Sequence, residues 1–178
     1  MTKYVVLFRG INVGGNKIVK METLRTILGV AGFENVRTYV QSGNVILTSD
    51  QTARRVAETI TELFPRTFGF PSRVTIRTAA EWDQMIARNA YPQALDDPKS
   101  LHAVIMDDDP TDMALMELAK KANDTEEFTV RNRVLYLYTP EGFGTSKLAE
   151  ALDKVLKVPL TSRNWRTVST LQGMLSAI

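Results

Sequence analysis

The sequence predicts an α+β protein made of two subdomains of similar topology followed by a C-terminal helix. Two observations lead to this fold class. Residues 3–78 alternate between β-rich apolar runs and helix-period segments in the order β-α-β-β-α-β, with nothing left over. After a proline-bearing connector the order β-α-β-β-α begins again. This order is typical of the ferredoxin-like, or split β-α-β, unit. We therefore predict subdomains at 1–78 and 99–178, separated by a helix and connector at 79–98.

The first subdomain begins with the continuous apolar run Tyr4–Phe8, which is typical of a strand buried on both faces. A helix follows from Met21 and stops at Gly32. Strands at 36–41 and 45–47 flank the turn residues Ser42, Gly43 and Asn44, which predicts a hairpin. Ser49 or Asp50 is the expected cap of a second helix, which Pro65 should end or kink. A half-exposed strand at 73–77 completes the unit.

The second subdomain repeats this pattern with one omission. A helix over 78–90 and the connector lead to a strand at 101–106 and a helix with Pro110 at its first position. Strands at 127–130 and 134–138 form a hairpin, and Thr145 or Ser146 caps the next helix. No closing strand is obvious, and a last amphipathic helix ending at Ile178 is expected to cover the sheet instead.

Composition excludes several classes of protein. The 178 residues include no cysteine, which removes disulfides, thiolate metal sites and cysteine nucleophiles. No apolar run reaches the roughly 18 residues that span a bilayer. The net charge of +2 is too small for a polycationic nucleic-acid binder, so any important basic character must be local. We predict a cytoplasmic, soluble protein that binds neither membrane, metal nor cofactor, and leave its oligomeric state open.

The first candidate site is the loop Arg9–Lys17, which connects the first strand to the first helix. Gly14 and Gly15 permit close backbone approach, Arg9 and Lys17 supply positive charge, and Asn12 offers an amide. The loop fits neither G-x-G-x-x-G nor G-x-x-x-x-G-K-[ST]. It is interpreted either as an anion-binding loop or as a tight turn with solvated cations.

Topology predicts a second group of residues beside this loop. In a β-α-β-β-α-β unit the first two strands run in the same direction, so their carboxyl ends lie at one edge of the sheet. The hairpin turn with Ser42 and Asn44 should therefore lie next to Arg9–Lys17. By the same rule, the second half should gather Asp107–Asp109, Arg131–Arg133 and residues 161–166 at one edge, with Gly142–Lys147 at the opposite one.

The second candidate site is the run Arg163, Asn164, Trp165 and Arg166. A base stacked on Trp165 between guanidinium groups is chemically reasonable. The alternative is structural, with Trp165 as a core side chain and Asn164 as a helix cap. Asp107–Asp109 is interpreted as a helix start with Asp109 as its cap, rather than as a metal site. His102, the single histidine, is expected to be structural or solvated.

Four motifs resemble a known family. They are Leu7–Gly15, Arg37–Asn44, Pro140–Leu148 and Arg163–Val168, and they occur in an order that spans nearly the whole chain. Together they are similar to the signatures of domain-of-unknown-function family 1697. The resemblance implies a tandem of two ferredoxin-like subdomains. It implies no activity and no catalytic residues, and Asp107–Asp109 is not part of the pattern.

Function is predicted at the level of ligand chemistry. The leading hypothesis is a module that binds a phosphorylated ligand, either a nucleotide or a single-stranded nucleic acid, at basic loops rich in glycine and asparagine. An RRM-like use of the sheet is disfavoured because Val45-Ile46-Leu47 carries no aromatic residue. One alternative is an enzyme acting on a small anionic substrate, although no nucleophile–base pair can be named from spacing. Another is a protein-interaction scaffold.

Overall fold

The computed structural model describes all residues from 1 to 178. The chain folds into two compact units, the first formed by Met1–Gln84 with Thr170–Ile178 and the second by Met85–Ser169. Each unit contains one four-stranded antiparallel sheet, which confirms the α+β class. None of the helices combines the length and apolarity needed to cross a membrane.

The first unit has the predicted order of elements. They are β1 (Thr2–Phe8), α1 (Met21–Val30), β2 (Glu34–Tyr39), β3 (Asn44–Ser49), α2 (Ala53–Phe68) and β4 (Val74–Thr78). Helix α3 (Ala79–Ala87) follows. The strands are arranged β2-β3-β1-β4, so β1 lies centrally and pairs with both β3 and β4. The carboxyl ends of β1 and β2 and the first residues of β3 and β4 consequently share one edge of the sheet.

One face of this sheet forms a core with α1 and α2. Alternate residues of β1, Tyr4, Val6 and Phe8, belong to it. Helix α2 contributes Val56, Ile60 and Phe64. These spacings place each set on one face of its strand or helix. The intervening β1 residues are also buried, as expected for a continuous apolar run.

Helix α2 differs from its prediction at both ends. Thr52 is the cap, accepting a hydrogen bond from the Arg55 amide, and neither Ser49 nor Asp50 has that role. The helix continues through Pro65 to Phe68 and ends at Gly69. Proline removes the hydrogen bond from its own nitrogen and its ring crowds the preceding turn, but contacts between aromatic rings hold the last turn of the helix in place. The rings of Phe64 and Phe68 lie 4.7 Å apart, with Phe70 also in contact with Phe64.

The second unit contains four strands and two principal helices. After a short 3₁₀ helix (Pro92–Asp96) come β5 (Leu101–Met106), α4 (Asp112–Ala119), β6 (Glu127–Arg131), β7 (Val134–Tyr138), α5 (Lys147–Leu156) and β8 (Leu160–Asn164). The strand order is β6-β7-β5-β8. Helix α6 (Trp165–Ser176) ends the chain. Ser146 caps α5 as predicted, whereas Thr111 caps α4 and Pro110 lies outside that helix.

Strand β8 was not predicted. The sequence Leu-Thr-Ser-Arg-Asn carries one strongly apolar residue and lacks a hydrophobic alternation, so it shows no strand signal of its own. Its pairing with β5 comes from long-range hydrogen bonding, with Ala103 opposite Arg163 and Met106 opposite Leu160. Unit two thus has a closing strand in the position that β4 occupies in unit one.

Candidate functional site

The loop between β1 and α1 is a small hairpin. The Asn12 amide donates to the Lys17 carbonyl at 3.1 Å, and the Asn16 amide donates to the Val13 carbonyl at 3.0 Å. Gly14 and Gly15 form its tip with φ values of +57° and +75°, the left-handed pair that a two-residue hairpin turn requires. Their own amide N–H groups make no hydrogen bond within the chain. The tip therefore presents two free backbone donors at the surface.

The side chain of Asn12 closes this loop. Its Nδ2 donates to the Val19 carbonyl at 2.9 Å and to the Gln41 carbonyl at 2.8 Å, while its Oδ1 accepts from the Val19 amide at 2.7 Å. Both amide hydrogens are thereby engaged with the backbone. Asn12 positions the loop against the β2–β3 turn instead of presenting its amide to a ligand.

The β2–β3 turn lies directly beside the loop, as strand direction predicted. The Phe8 amide donates to the Gly43 carbonyl at 2.8 Å. Asn44 is fully buried, and its Nδ2 donates to the Tyr39 carbonyl and to Ser42 Oγ. Ser42 is exposed and Asn44 is not, so only Ser42 of this predicted pair is at the surface.

Gly43 allows the loop and turn to come this close. A Cβ at this position would lie 2.7 Å from Phe8 Cβ and 2.9 Å from Ile11 Cδ1, and the residue has φ of +78°. Both the space and the backbone conformation therefore require glycine.

A third segment at the same edge was missed by the sequence analysis. The Arg9 amide donates to the Arg73 carbonyl at 3.0 Å, and Ser72 Oγ donates to the Arg9 carbonyl at 3.0 Å. Two features of the sequence could have identified this segment: a cation, Arg73, comes immediately before β4, and β4 is expected to pair antiparallel with β1. Antiparallel pairing places the start of β4 beside the end of β1, and so Arg73 beside Arg9.

We call residues 9–20, 40–44 and 66–73 of the first unit the basic edge. They contain five cationic side chains and no carboxylate. The cations are Arg9, Lys17, Lys20, Arg66 and Arg73. Of these, Lys17, Lys20, Arg66 and Arg73 have no carboxylate within ion-pair distance. The uncompensated charge gives this edge a positive potential.

Helix α1 adds to this potential. It begins at the basic edge, its N-cap residue Lys20 makes no side-chain capping bond, and its first turn contains Glu22 as the nearest carboxylate along the chain. The positive end of a helix dipole and uncapped N–H groups favour an anion. The opposite edge of the same sheet is mixed in charge, since Glu34 begins β2 and Asp50 follows β3, while Lys3 lies near the start of β1 and Arg77 near the end of β4.

The second predicted cluster has a different environment. Trp165 is 3% exposed and its ring contacts Tyr136 at 6.2 Å between centroids, so its faces are not available to a base. Asn164 Oδ1 accepts from the Thr167 amide and so caps α6. Arg163 is largely buried, donates to Thr161 Oγ1 and the Ser162 carbonyl, and burial lowers its pKa to about 10. Only Arg166 of the four is exposed.

The prediction that residues 161–166 lie beside Asp107–Asp109 is wrong for most of residues 161–166. Strand β8 runs from Leu160, next to Met106, to Asn164, next to His102, and so carries the motif to the other edge of the sheet. There His102 stacks on Phe143, with ring centroids 4.0 Å apart. The Gly142–Lys147 turn and Asn164 thus lie on the same side of the unit because β8 exists.

His102 is a half-buried side chain that is neutral at pH 7. Desolvation lowers its pKa to about 4, and its Nδ1 is buried without a hydrogen-bond partner. A bare acceptor nitrogen in an apolar setting is less costly than a bare N–H, so the proton is expected on Nε2. The structural role predicted for this histidine fits stacking on Phe143.

A groove of about 850 Å³ lies between α4 and α5. Ala114, Ala151 and Val155 line its apolar part, whereas lysine and carboxylate side chains alternate around it. It contains none of the predicted site residues, and its mixed charge favours no particular ligand. No three His, Cys, Asp or Glu residues are grouped so that they could hold a metal ion. Asp109 is exposed and does not cap α4, contrary to prediction.

The fold defines a class of protein, an α+β chain with two four-stranded antiparallel sheets. Within that class the chain belongs to the family described as a protein of unknown function, DUF1697, whose model matches residues 1–136. This confirms the resemblance seen in the sequence, although the motifs at 140–148 and 163–168 lie beyond the matched residues. Comparison with curated proteins gives no match.

A solved structure shows the same fold along the whole chain. It is that of a conserved bacterial protein from Streptococcus pneumoniae, which is 23% identical and has a TM-score of 0.77. The alignment covers 98% of each chain. At this identity the similarity concerns the fold alone.

Proposed function

We propose that the protein binds a phosphorylated ligand at the basic edge of its first unit. The observation that carries this proposal is the charge of that edge, where five cationic side chains occupy two of three adjoining segments and no carboxylate occupies any of them. Phosphate is the common biological anion that such a cluster of guanidinium, ammonium and backbone N–H donors suits.

Residues of the basic edge have two kinds of role in this proposal. Lys17, Lys20 and Arg73 are exposed and supply charge, while the free N–H groups of Gly14 and Gly15 can donate to phosphate oxygens. Asn12 and Asn44 hold the segments together through their amides. Arg9 and Ser42 belong to the same edge and complete the proposed binding surface.

The second predicted cluster is left out of the proposed site. The burial of Trp165 and the capping role of Asn164 favour the structural alternative for these two residues. Arg163 and Arg166 belong to the second unit, and the proposal rests on the first unit alone.

We further propose that each unit is a ferredoxin-like subdomain and that the protein acts in the cytoplasm. The strand orders β2-β3-β1-β4 and β6-β7-β5-β8, with a helix after the first and third strand of each unit, support the first statement. The lack of cysteine in the sequence supports the second.

A thermal-shift panel tests the binding proposal. The panel contains inorganic phosphate, mononucleotides, sugar phosphates and short single-stranded oligonucleotides. A ligand at about 100 times its dissociation constant stabilises the folded protein by about 2.7 kcal/mol, which is readily measured. We expect at least one phosphorylated compound to raise the melting temperature of the wild type.

The matched variants separate a site from general charge. Lys17→Ala with Arg73→Ala should abolish the shift, whereas Lys99→Ala with Arg88→Ala should retain it. Both pairs remove one exposed lysine and one exposed arginine, but the second pair belongs to unit two and is not part of the basic edge. Equal loss in both double variants, or no shift with any compound at millimolar concentration, would contradict the proposal.

A further inference from the structure

We infer that the phosphorylated ligand is a single-stranded nucleic acid whose backbone follows the basic edge, with a base stacked on Tyr39. This inference rests on the function proposed above and narrows it from phosphorylated ligands in general to one class of polymer. Three features of the first unit lead to it: the exposure of the donors, the spread of the polar groups and the position of Tyr39.

The donor groups of the basic edge lie on an exposed surface. Residues 13–18 are exposed without interruption, and so are Lys20, Ser42 and Arg73. A mononucleotide site is normally concave and buries most of its ligand. A polymer instead gains affinity from many phosphate contacts at an open surface, each contributing through release of counterions. Exposure of this extent therefore favours the polymer.

The polar groups of the basic edge are distributed across the whole width of the sheet. The edge runs from β2 through β3 and β1 to β4, which is three strand intervals, or about 14 Å. Ser42 lies in the β2–β3 turn at one side, and the cations lie at the β1 and β4 side. Lys17 and Lys20 follow β1, Arg73 precedes β4, and Arg66 lies in the last turn of α2. One phosphate cannot engage groups at both ends of this row. Consecutive phosphates of a flexible strand can.

Tyr39 offers a surface for a base beside this row. In β2, Thr38 is opposite the core residue Val45 and accepts a hydrogen bond from Arg25 of α1, so Thr38 faces the helices. The alternation of a strand places Tyr39 and Arg37 on the other face of the sheet. Tyr39 is half-buried and Arg37 is exposed at this edge strand. Stacking on an aromatic ring with a neighbouring guanidinium is the usual contact of unpaired bases.

Fluorescence anisotropy of a labelled single-stranded oligonucleotide, about 12 nucleotides long, tests this inference against salt concentration. For single strands the logarithm of affinity should fall with the logarithm of salt by about 0.7 per phosphate contacted. Wild type should show a slope of about 2 or more, reflecting several contacts. Lys17→Ala and Arg73→Ala should each reduce the slope by about 0.7, and Lys99→Ala and Arg88→Ala should leave it unchanged.

Tyr39→Leu distinguishes base stacking from charge. It should weaken binding about tenfold while leaving the salt slope unchanged, because stacking involves no counterion release. Circular dichroism of this variant checks that the fold is retained. An equal affinity of Tyr39→Leu and wild type would overturn the role of the ring.

Competition experiments distinguish failure of this inference from failure of the proposed function. If a mononucleotide displaces the oligonucleotide at equal concentration, or a duplex binds as tightly as a single strand, the inference is wrong and the phosphate site stands. If neither oligonucleotide nor mononucleotide binds and the thermal-shift panel is also flat, both are wrong.

Discussion

Asn12 shows how one residue determines the geometry of the basic edge. Its three side-chain hydrogen bonds join residues from the two ends of the loop and from the β2–β3 turn. Asn12→Gly keeps its φ of +54° accessible and removes only the amide, so it should destabilise the protein by about 2 kcal/mol. Urea-induced unfolding measures this change, and faster hydrogen exchange at the Val19 amide should accompany it.

Asn132→Gly is the matched control for this experiment. Asn132 also has a positive φ, lies in an exposed turn and makes no side-chain hydrogen bond. Its replacement should change stability by less than about 0.5 kcal/mol. An equal effect of the two substitutions would show that the amide of Asn12 does not hold the loop.

Gly43 is the residue at which the structure tolerates least change. Gly43→Ala would bring a methyl group within 2.7 Å of Phe8 Cβ, which belongs to a central strand and cannot move aside. We expect a loss of about 3 kcal/mol or more, since the clash adds to the strain of a positive φ. Gly14→Ala, with no atom within 4 Å, should lose only about 1 kcal/mol.

Chemical denaturation of the two glycine variants is the appropriate comparison. Similar losses of unfolding free energy would contradict the close approach of the β2–β3 turn to β1. The sequence predicts Gly43 as a turn residue, but it does not show that Phe8 and Ile11 fill the space that a side chain at this position would need.

His102 makes stability depend on pH in a defined direction. Its folded-state pKa of about 4 lies below the ordinary 6.5, so between these values the unfolded chain binds a proton that the folded chain does not. Its effect on stability is absent above pH 6.5, grows as pH falls towards 4, and then levels off. At pH 4.5 the loss should be roughly 2–3 kcal/mol relative to pH 7.

The variant His102→Gln isolates this effect because the chain has no other histidine. Urea-induced unfolding of wild type and variant at pH 7 and pH 4.5 gives four free energies. The wild type should lose roughly 2–3 kcal/mol more than the variant between the two pH values. Identical losses would show that His102 titrates normally in the folded protein.

At the scale of residues, the sequence predicts which positions are structurally or functionally important more reliably than it predicts the role of each. Asn12 and Asn44 were expected to bind a ligand, and both are engaged with the protein backbone. The partners of Asn12 are 7 and 29 positions away along the chain. Because these carbonyl groups are distant along the chain, the sequence alone does not show that the Asn12 amide is already hydrogen-bonded and is not available to a ligand.

Among the elements, α2 departs most from sequence rules. Proline lacks the N–H that would bond within the helix and its ring crowds the preceding turn, so Pro65→Ala should stabilise the protein by about 1 kcal/mol. Pro110→Ala, in the loop before α4, should not be stabilising. Denaturant midpoints of both variants test this, and a destabilised Pro65→Ala would mean that the ring itself packs in an essential way.

Most elements could be predicted, and β8 could not, for a physical reason. The other strands carry apolar runs or alternation that reflect burial, whereas Leu160–Asn164 is mostly polar. Backbone pairing to β5 engages the N–H and C=O groups on one side of β8 whatever the side chains are. Because β8 was missing, residues 163–166 were assigned to the wrong edge of the sheet.

At the scale of the whole molecule, the small net charge hides an asymmetry. The first unit contains eleven Lys and Arg residues against seven Asp and Glu, whereas the second contains eleven against thirteen. A net charge of +2 argued against polymer binding, but it is the sum of a basic and an acidic unit. The charge of one sheet edge is the relevant quantity for a phosphate site.

Strand direction was sufficient to predict part of the candidate site. It placed the Arg9–Lys17 loop beside the Ser42 turn, which the structure confirms through the bonds of Asn12 and Phe8. The same reasoning would have added Arg73, since β4 runs opposite to β1. It could not reveal that Asn44 is buried or that Gly14 and Gly15 keep free N–H groups, because these depend on side-chain packing and loop closure.

The measurement that tests the phosphate site most directly is an NMR titration of the ¹⁵N-labelled protein with a single-stranded oligonucleotide. Amide signals of Gly14, Gly15, Lys17, Ser42 and Arg73 should shift together with one binding curve, because these residues form one surface. Signals from α4 and α5 should stay in place. Shifts restricted to the α4–α5 groove, or absent throughout, would contradict the assignment of the basic edge as the binding site.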